Sequence, residues 1–123
     1  MATVIAVIDD LFFASKVRGA AEQAGIQLIF ARSPEELEAA ARNERPSLIV
    51  ADLNSKRCDP VTLASRLKSD APLKTVPLLG FFSHVDVELQ RRAKDAGFDQ
   101  TITRSALAGT LAQAFAEIKR ADS

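Results

Sequence analysis

The chain has 123 residues, 47% of them hydrophobic and 26% charged, enough to bury a core of its own without disulfides or structural metal. Its 16 basic residues balance its 16 acidic ones, which removes the electrostatic footprint that binders of nucleic acid or anionic membrane carry. A lone cysteine, Cys58, excludes a disulfide framework or a cysteine-built zinc site, and no apolar run approaches the ~20 residues of a membrane span, so a cytoplasmic single domain, residues 1–123, is expected.

Short apolar runs alternate with segments of helical spacing. VIAVI (4–8) is the first run, and two carboxylates, Asp9 and Asp10, follow it directly. The first helix is expected over 11–24, with Leu11, Val17, Ala20, Ala21 and Ala24 on its apolar stripe and Gly25 as its stop. Phe12 and Phe13 are adjacent, so one packs and the other is exposed near the strand end. IQLIF (26–30) is the second run. The second helix opens at Ser33-Pro34-Glu35-Glu36, a capping box with proline in the first turn, and continues through Leu37, Ala40 and Ala41.

SLIVADL (47–53) is the third run and contains Asp52. The third helix opens at Asp59-Pro60 and runs through Leu63 and Leu67. VPLLGFF (76–82) is followed by a fourth helix opening near Ser83, where Ser83-His84-Val85-Asp86 reads as a cap, with Val85, Leu89, Ala93 and Ala96 on one face. FDQTIT (98–103) is a weaker run. A fifth helix opens near Ser105, with Leu107, Leu111, Ala114, Phe115 and Ile118. Runs apolar throughout suit strands buried on both faces, hence a parallel sheet. Five strand–helix pairs make an α/β, doubly wound five-stranded sheet, and the order 2-1-3-4-5 sets strands one and three side by side at a switch point.

That order explains why a buried strand aims at two like charges. In a parallel sheet all C-terminal strand ends share one edge, with neighbours ~4.8 Å apart. Asp9, Asp10 and Asp52 are therefore expected to meet in the crevice at the switch point. Close carboxylates repel, and their pKa values rise unless they are compensated. Hard oxygen ligands point to Mg²⁺. Ser83 ends the fourth strand as a hydroxyl donor and Arg104 ends the fifth as a fixed cation. Together they read as a site for phosphoryl transfer onto a carboxylate.

On these residues the chain resembles the receiver (response-regulator, CheY-like) family over essentially its whole length. Asp9 and Asp10 match the family's acidic pair and Asp52 its phosphoacceptor. Asn54 falls where the family offers a backbone carbonyl to Mg²⁺, Ser83 where it binds the phosphoryl group, and Arg104 where it nearly always has lysine. The resemblance implies a CheY-like fold, a histidine kinase or phosphotransfer protein as donor, and Mg²⁺ as cofactor. It also implies chemistry limited to the receiver's own phosphorylation and dephosphorylation, so no enzyme acting on a diffusible substrate. Output by protein contact is implied through the fourth helix, fifth strand and fifth helix, with Glu88, Arg91, Arg92, Gln113 and Glu117 as candidates. The chain ends soon after the fifth helix, so a stand-alone receiver is expected.

Several positions depart from the family pattern. Arg104 presents a planar fork in place of a compact ammonium. Ser105 replaces the usual proline, so the family's cis peptide is not implied. His84 is a bulky ring beside Ser83, and Thr101 stands where an aromatic switch residue is common. The loop NSKRCD (54–59) carries Lys56 and Arg57 beside the site. These changes motivate a second reading, a pseudo-receiver that keeps the acids and the fold but serves as a constitutive interaction module. A flavodoxin-like cofactor binder fits poorly. There is no Trp or Tyr to stack on a flavin, and no Ser/Thr/Gly-rich phosphate loop follows the first strand.

Overall fold

The computed structural model describes residues 2–82 and 86–122. Strands β1 (Thr3–Val7), β2 (Gln27–Phe30), β3 (Leu48–Asp52), β4 (Leu78–Phe82) and β5 (Gln100–Thr103) alternate with helices α1 (Leu11–Ala24), α2 (Pro34–Glu44), α3 (Pro60–Lys68), α4 (Val87–Ala96) and α5 (Arg104–Asp122). The sheet is parallel throughout, with order β2-β1-β3-β4-β5, as expected. Every residue of β1, β3 and β4 is buried, whereas the edge strands β2 and β5 are partly exposed. This is why the three central strands read as unbroken apolar runs and FDQTIT does not.

Side-chain alternation divides the core between the two faces of the sheet. On one face Ile5, Val7, Ile49, Ala51 and Leu78 meet Leu37 of α2, Leu63 and Leu67 of α3 and Ala93 of α4. On the other, Val4, Ala6, Val50, Leu79 and Phe81 meet Phe13 and Val17 of α1 and Leu107, Leu111 and Phe115 of α5. Gly80 sits where backbone and side chains approach closely. A Cβ there would lie 2.8 Å from Leu53 Cδ2 and 3.1 Å from Phe98 Cδ1.

The helix ends follow local chemistry. The Ser33 side chain accepts the Glu36 N–H at 3.1 Å and Pro34 fills the first turn of α2. Asp59 caps α3 and Gly25, at φ 69°, ends α1. Two boundaries differ from expectation. Helix α4 begins at Val87, capped by Asp86, whose Oδ1 accepts the Leu89 N–H at 3.0 Å. The acidic residue of the Ser83-x-x-Asp86 pattern is therefore itself the cap. Ser83, His84 and Val85 lie outside the described residues, and so do the sequence readings placed on them. Helix α5 begins at Arg104 itself, next to β5.

Candidate functional site

The register brings the acids to one edge. β1 pairs with β3 as Val7↔Ala51, so Asp52 lies beside the turn that carries Asp9 and Asp10. Each of the three carboxylates has its own partners. Asp10 caps α1, its Oδ1 accepting the N–H groups of Phe12 and Phe13 at 2.9 and 3.2 Å. Its Oδ2 accepts from Arg104 Nη2 at 2.7 Å. Asp9 turns to the loop after β3, where Oδ1 accepts the Ser55 hydroxyl and Oδ2 the Lys56 N–H, both at 2.8 Å. Asp52 accepts the Asn54 N–H at 2.9 Å. It is the only buried carboxylate among the described residues, 9% exposed.

These environments drive two of the acids apart. Burial pushes the Asp52 carboxyl above the ordinary aspartate range. The Asn54 N–H opposes the shift, the Asp9 charge adds to it, Arg104 opposes it and Asp10 adds again. Asp10 moves the other way, held below its ordinary value first by the Arg104 hydrogen bond and then by the Phe13 N–H. The compensation that close carboxylates require is thus supplied from within the chain.

Arg104 is held on two sides. Its guanidinium carbon lies 4.4 Å from the centroid of the Phe13 ring. That ring stacks on Phe81 at 5.1 Å and 12°. Phe81 is the register partner of Asp52. Arg104, Phe13 and Phe81 form a column from the α5 N-terminus to the strand beside the buried acid. Phe12, by contrast, is 70% exposed.

The donor chemistry suits a hard divalent cation, with carboxylates at Asp9, Asp10 and Asp52 and a main-chain carbonyl at Asn54. Asp9 and Asp10 have their oxygens engaged within the chain, and no cluster of three or more His, Cys, Asp or Glu side chains poised for a metal ion occurs among the described residues. Oδ2 of Asp10 is taken by Arg104 and Oδ1 by the α1 cap, so both oxygens of this carboxylate have partners within the chain.

Other sequence candidates have definite places. Thr101 accepts a hydrogen bond from Gln90 Nε2 at 3.0 Å, tying β5 to α4. Glu88 and Asp95 pair with Arg91 along α4. Lys56 and Arg57 are exposed. Ser55, the main-chain N–H of Lys56 and Gln90 were not singled out from sequence, whereas of the pair Phe12 and Phe13 the packed ring is Phe13. Only the adjacency of Ser55 to the Asp52–Asn54 segment marked it, because a hydroxyl that reaches 46 residues back to Asp9 leaves no local pattern. Cys58 is buried, and burial, with the Asp9 charge next, pushes its thiol up.

No protein-family model matches the chain. Over 104 residues, 84% of the chain, it is 31% identical to a gliding motility regulatory protein of Myxococcus xanthus, and it spans 13% of that protein's length. Among solved structures it superposes on the signal receiver domain of a histidine kinase from Syntrophus aciditrophicus with a TM-score of 0.82 and 24% identity, covering 96% of this chain and 89% of that one. The phosphorylated cyanobacterial phytochrome response regulator RcpA matches with a TM-score of 0.78 and 24% identity, over 96% and 91% of the two chains. Chemotaxis response regulator CheY4 of Vibrio cholerae matches with a TM-score of 0.79 and 23% identity, over 94% and 98%. The chain has the fold of CheY-like receiver domains. No helix among the described residues is long and apolar enough to cross a membrane.

Proposed function

We propose that this chain, built on the receiver fold, is a cytoplasmic signalling receiver that takes a phosphoryl group onto Asp52. The observation that carries the proposal is the burial of Asp52 at the C-terminal end of β3, at the switch point of the sheet and beside two further acids. Burial makes its carboxylate more basic than an exposed aspartate and so a better nucleophile. An oxygen of Asp52 forms the new O–P bond while the P–N bond to a donor histidine breaks, and the imidazole leaves with that electron pair and takes up a proton. The donor is a histidine kinase or a phosphotransfer protein, as the receiver resemblance implies.

Asp9, Asp10, Asp52 and the Asn54 carbonyl would hold Mg²⁺, which when bound supplies positive charge against the transferring phosphoryl oxygens. The chain's own contribution comes from Arg104. Freed from Asp10, it is a fixed cation beside the acids, stationed by the Phe13 ring. Ser83 contributes a hydroxyl to the phosphoryl group by the same resemblance. Output passes to a downstream protein through the α4–β5–α5 face. The Gln90–Thr101 hydrogen bond spans two elements of that face, and it occupies the position from which the family's aromatic switch is missing.

One observation favours a second reading. Asp9 and Asp10 are already satisfied, by Ser55, Lys56 and Arg104, as a constitutive pseudo-receiver requires. An amide NMR titration with Mg²⁺ and then beryllofluoride separates the two. Shifts around Asp10, Asp52 and Asn54 with Mg²⁺, followed by movement of α4 with beryllofluoride and loss of both in Asp52→Ala, establish the phosphorylated receiver. Silence to both additions, in a folded protein, establishes the interaction module.

A further inference from the structure

Residues of α1 and α5, with the ends of β4 and β5, line a cleft of ≈ 680 Å³, within the usual size of small-molecule sites. Its walls are apolar, with Phe12, Val17, Phe82 and Leu111 among them, and Lys16, Arg104 and the hydroxyls of Thr103 and Ser105 are its polar residues. Among the described residues no aspartate or glutamate lines it. Lys16 lies 4.9 Å from the centroid of the Phe12 ring and makes no ion pair among the described residues.

We propose that the cleft is a binding site for a small amphipathic organic anion, a flat apolar body bearing one carboxylate. Charge complementarity selects the anion, since Lys16 carries a charge with no ion-pair partner and no carboxylate lines the cleft among the described residues. Phe12 selects the apolar body, because its exposed ring offers one face for stacking while the Lys16 ammonium stands over the other as a counter-charge. Lys16 receives the carboxylate. Arg104, held by Asp10 at the same end, adds to the field without giving up its partner.

Naphthoate is the probe, with its uncharged isostere naphthamide as the control, followed by amide NMR on the full chain. Naphthoate is expected to shift the amides of 12–20 and 103–111 saturably. Lys16→Gln, at an exposed position, is expected to weaken binding about 5-fold, the equivalent of one modest surface charge interaction. Naphthamide is expected to bind correspondingly less well than naphthoate. Ala108→Trp, which places a large ring in the cleft from an exposed position, should abolish the shifts while leaving the far-UV spectrum intact. Equal binding of naphthoate and naphthamide, or indifference to Lys16→Gln, overturns the proposal. So does a cleft whose resonances change on dilution, because a second copy of the chain is then its occupant.

Discussion

The column Phe81–Phe13–Arg104 makes a quantitative claim that a double-mutant cycle reads directly. Phe81 is 1% exposed and Phe13 8%. Phe81→Ala would cost about 3–5 kcal/mol, a large share of the about 5–15 kcal/mol that holds a domain of this size. Leucine is therefore the useful replacement. Phe81→Leu and Phe13→Leu should each cost about 1–2 kcal/mol, as shape changes in a packed core do. With the rings stacked at 5.1 Å, the double variant should lose about 0.5–1.5 kcal/mol less than the sum of the singles. A second cycle, Phe13→Leu with Arg104→Gln, should show about 0.5–1 kcal/mol for the cation over the ring. The chain has no Trp or Tyr, so urea unfolding is followed by far-UV circular dichroism. A coupling below about 0.3 kcal/mol between Phe13 and Phe81, the ordinary scatter of additivity, refutes the column as a mechanical link. Coupling in the first cycle without coupling in the second restricts it to the two rings.

Three further outcomes follow from the same geometry. Because the folded Asp52 carboxyl binds its proton at higher pH than the unfolded one, the protein loses stability as pH rises from the ordinary aspartate value through the folded one. Asp52→Asn should therefore be the more stable form at neutral pH, with the advantage vanishing in acid, and urea midpoints across pH that show the reverse would refute the burial argument. Arg104→Gln should raise the Asp10 pKa, read by carboxyl NMR, and tighten Mg²⁺ binding, because the guanidinium no longer occupies Asp10; an unchanged Mg²⁺ affinity would deny that competition. Gly80→Ala should destabilise by about 1–3 kcal/mol, the usual cost of overpacking, since its Cβ would press on Leu53 and Phe98, and a thermal melt that does not move would contradict that crowding.

The sheet was legible because Val4–Val7, Leu48–Ala51 and Leu78–Phe82 lie under helices on both faces, and such strands leave unbroken apolar runs. Strand order then placed Asp9, Asp10 and Asp52 at one edge with no side-chain information. The partners of the acids were legible only as residue types. Arg104 was read as a cation at the site, but its grip on Asp10 spans 94 residues, and its seat on Phe13 depends on how α1 and α5 lie together. The loop after β3 read as a string of charges. Its consequential groups proved to be the Ser55 hydroxyl and the main-chain N–H of Lys56, and a main-chain group has no signature in sequence. The start of α4 was misplaced for a local reason. Ser83 and Asp86 are both good caps, and residue type alone does not choose between them.

The anchoring of the loop after β3 gives the protein a clock of its own. The Cys58 N–H donates to Ser55 Oγ at 3.2 Å, and the same hydroxyl donates to Asp9. The thiol itself is 1% exposed and resists ionisation, so a thiol reagent can react with it only during excursions in which the loop lifts. An excursion that lifts the whole loop breaks the Ser55 and Lys56 contacts together, so it frees Asp9 and uncovers Cys58 in one event. The labelling rate of an unmodified chain therefore counts the openings through which the acidic edge exchanges its internal partners for an external one.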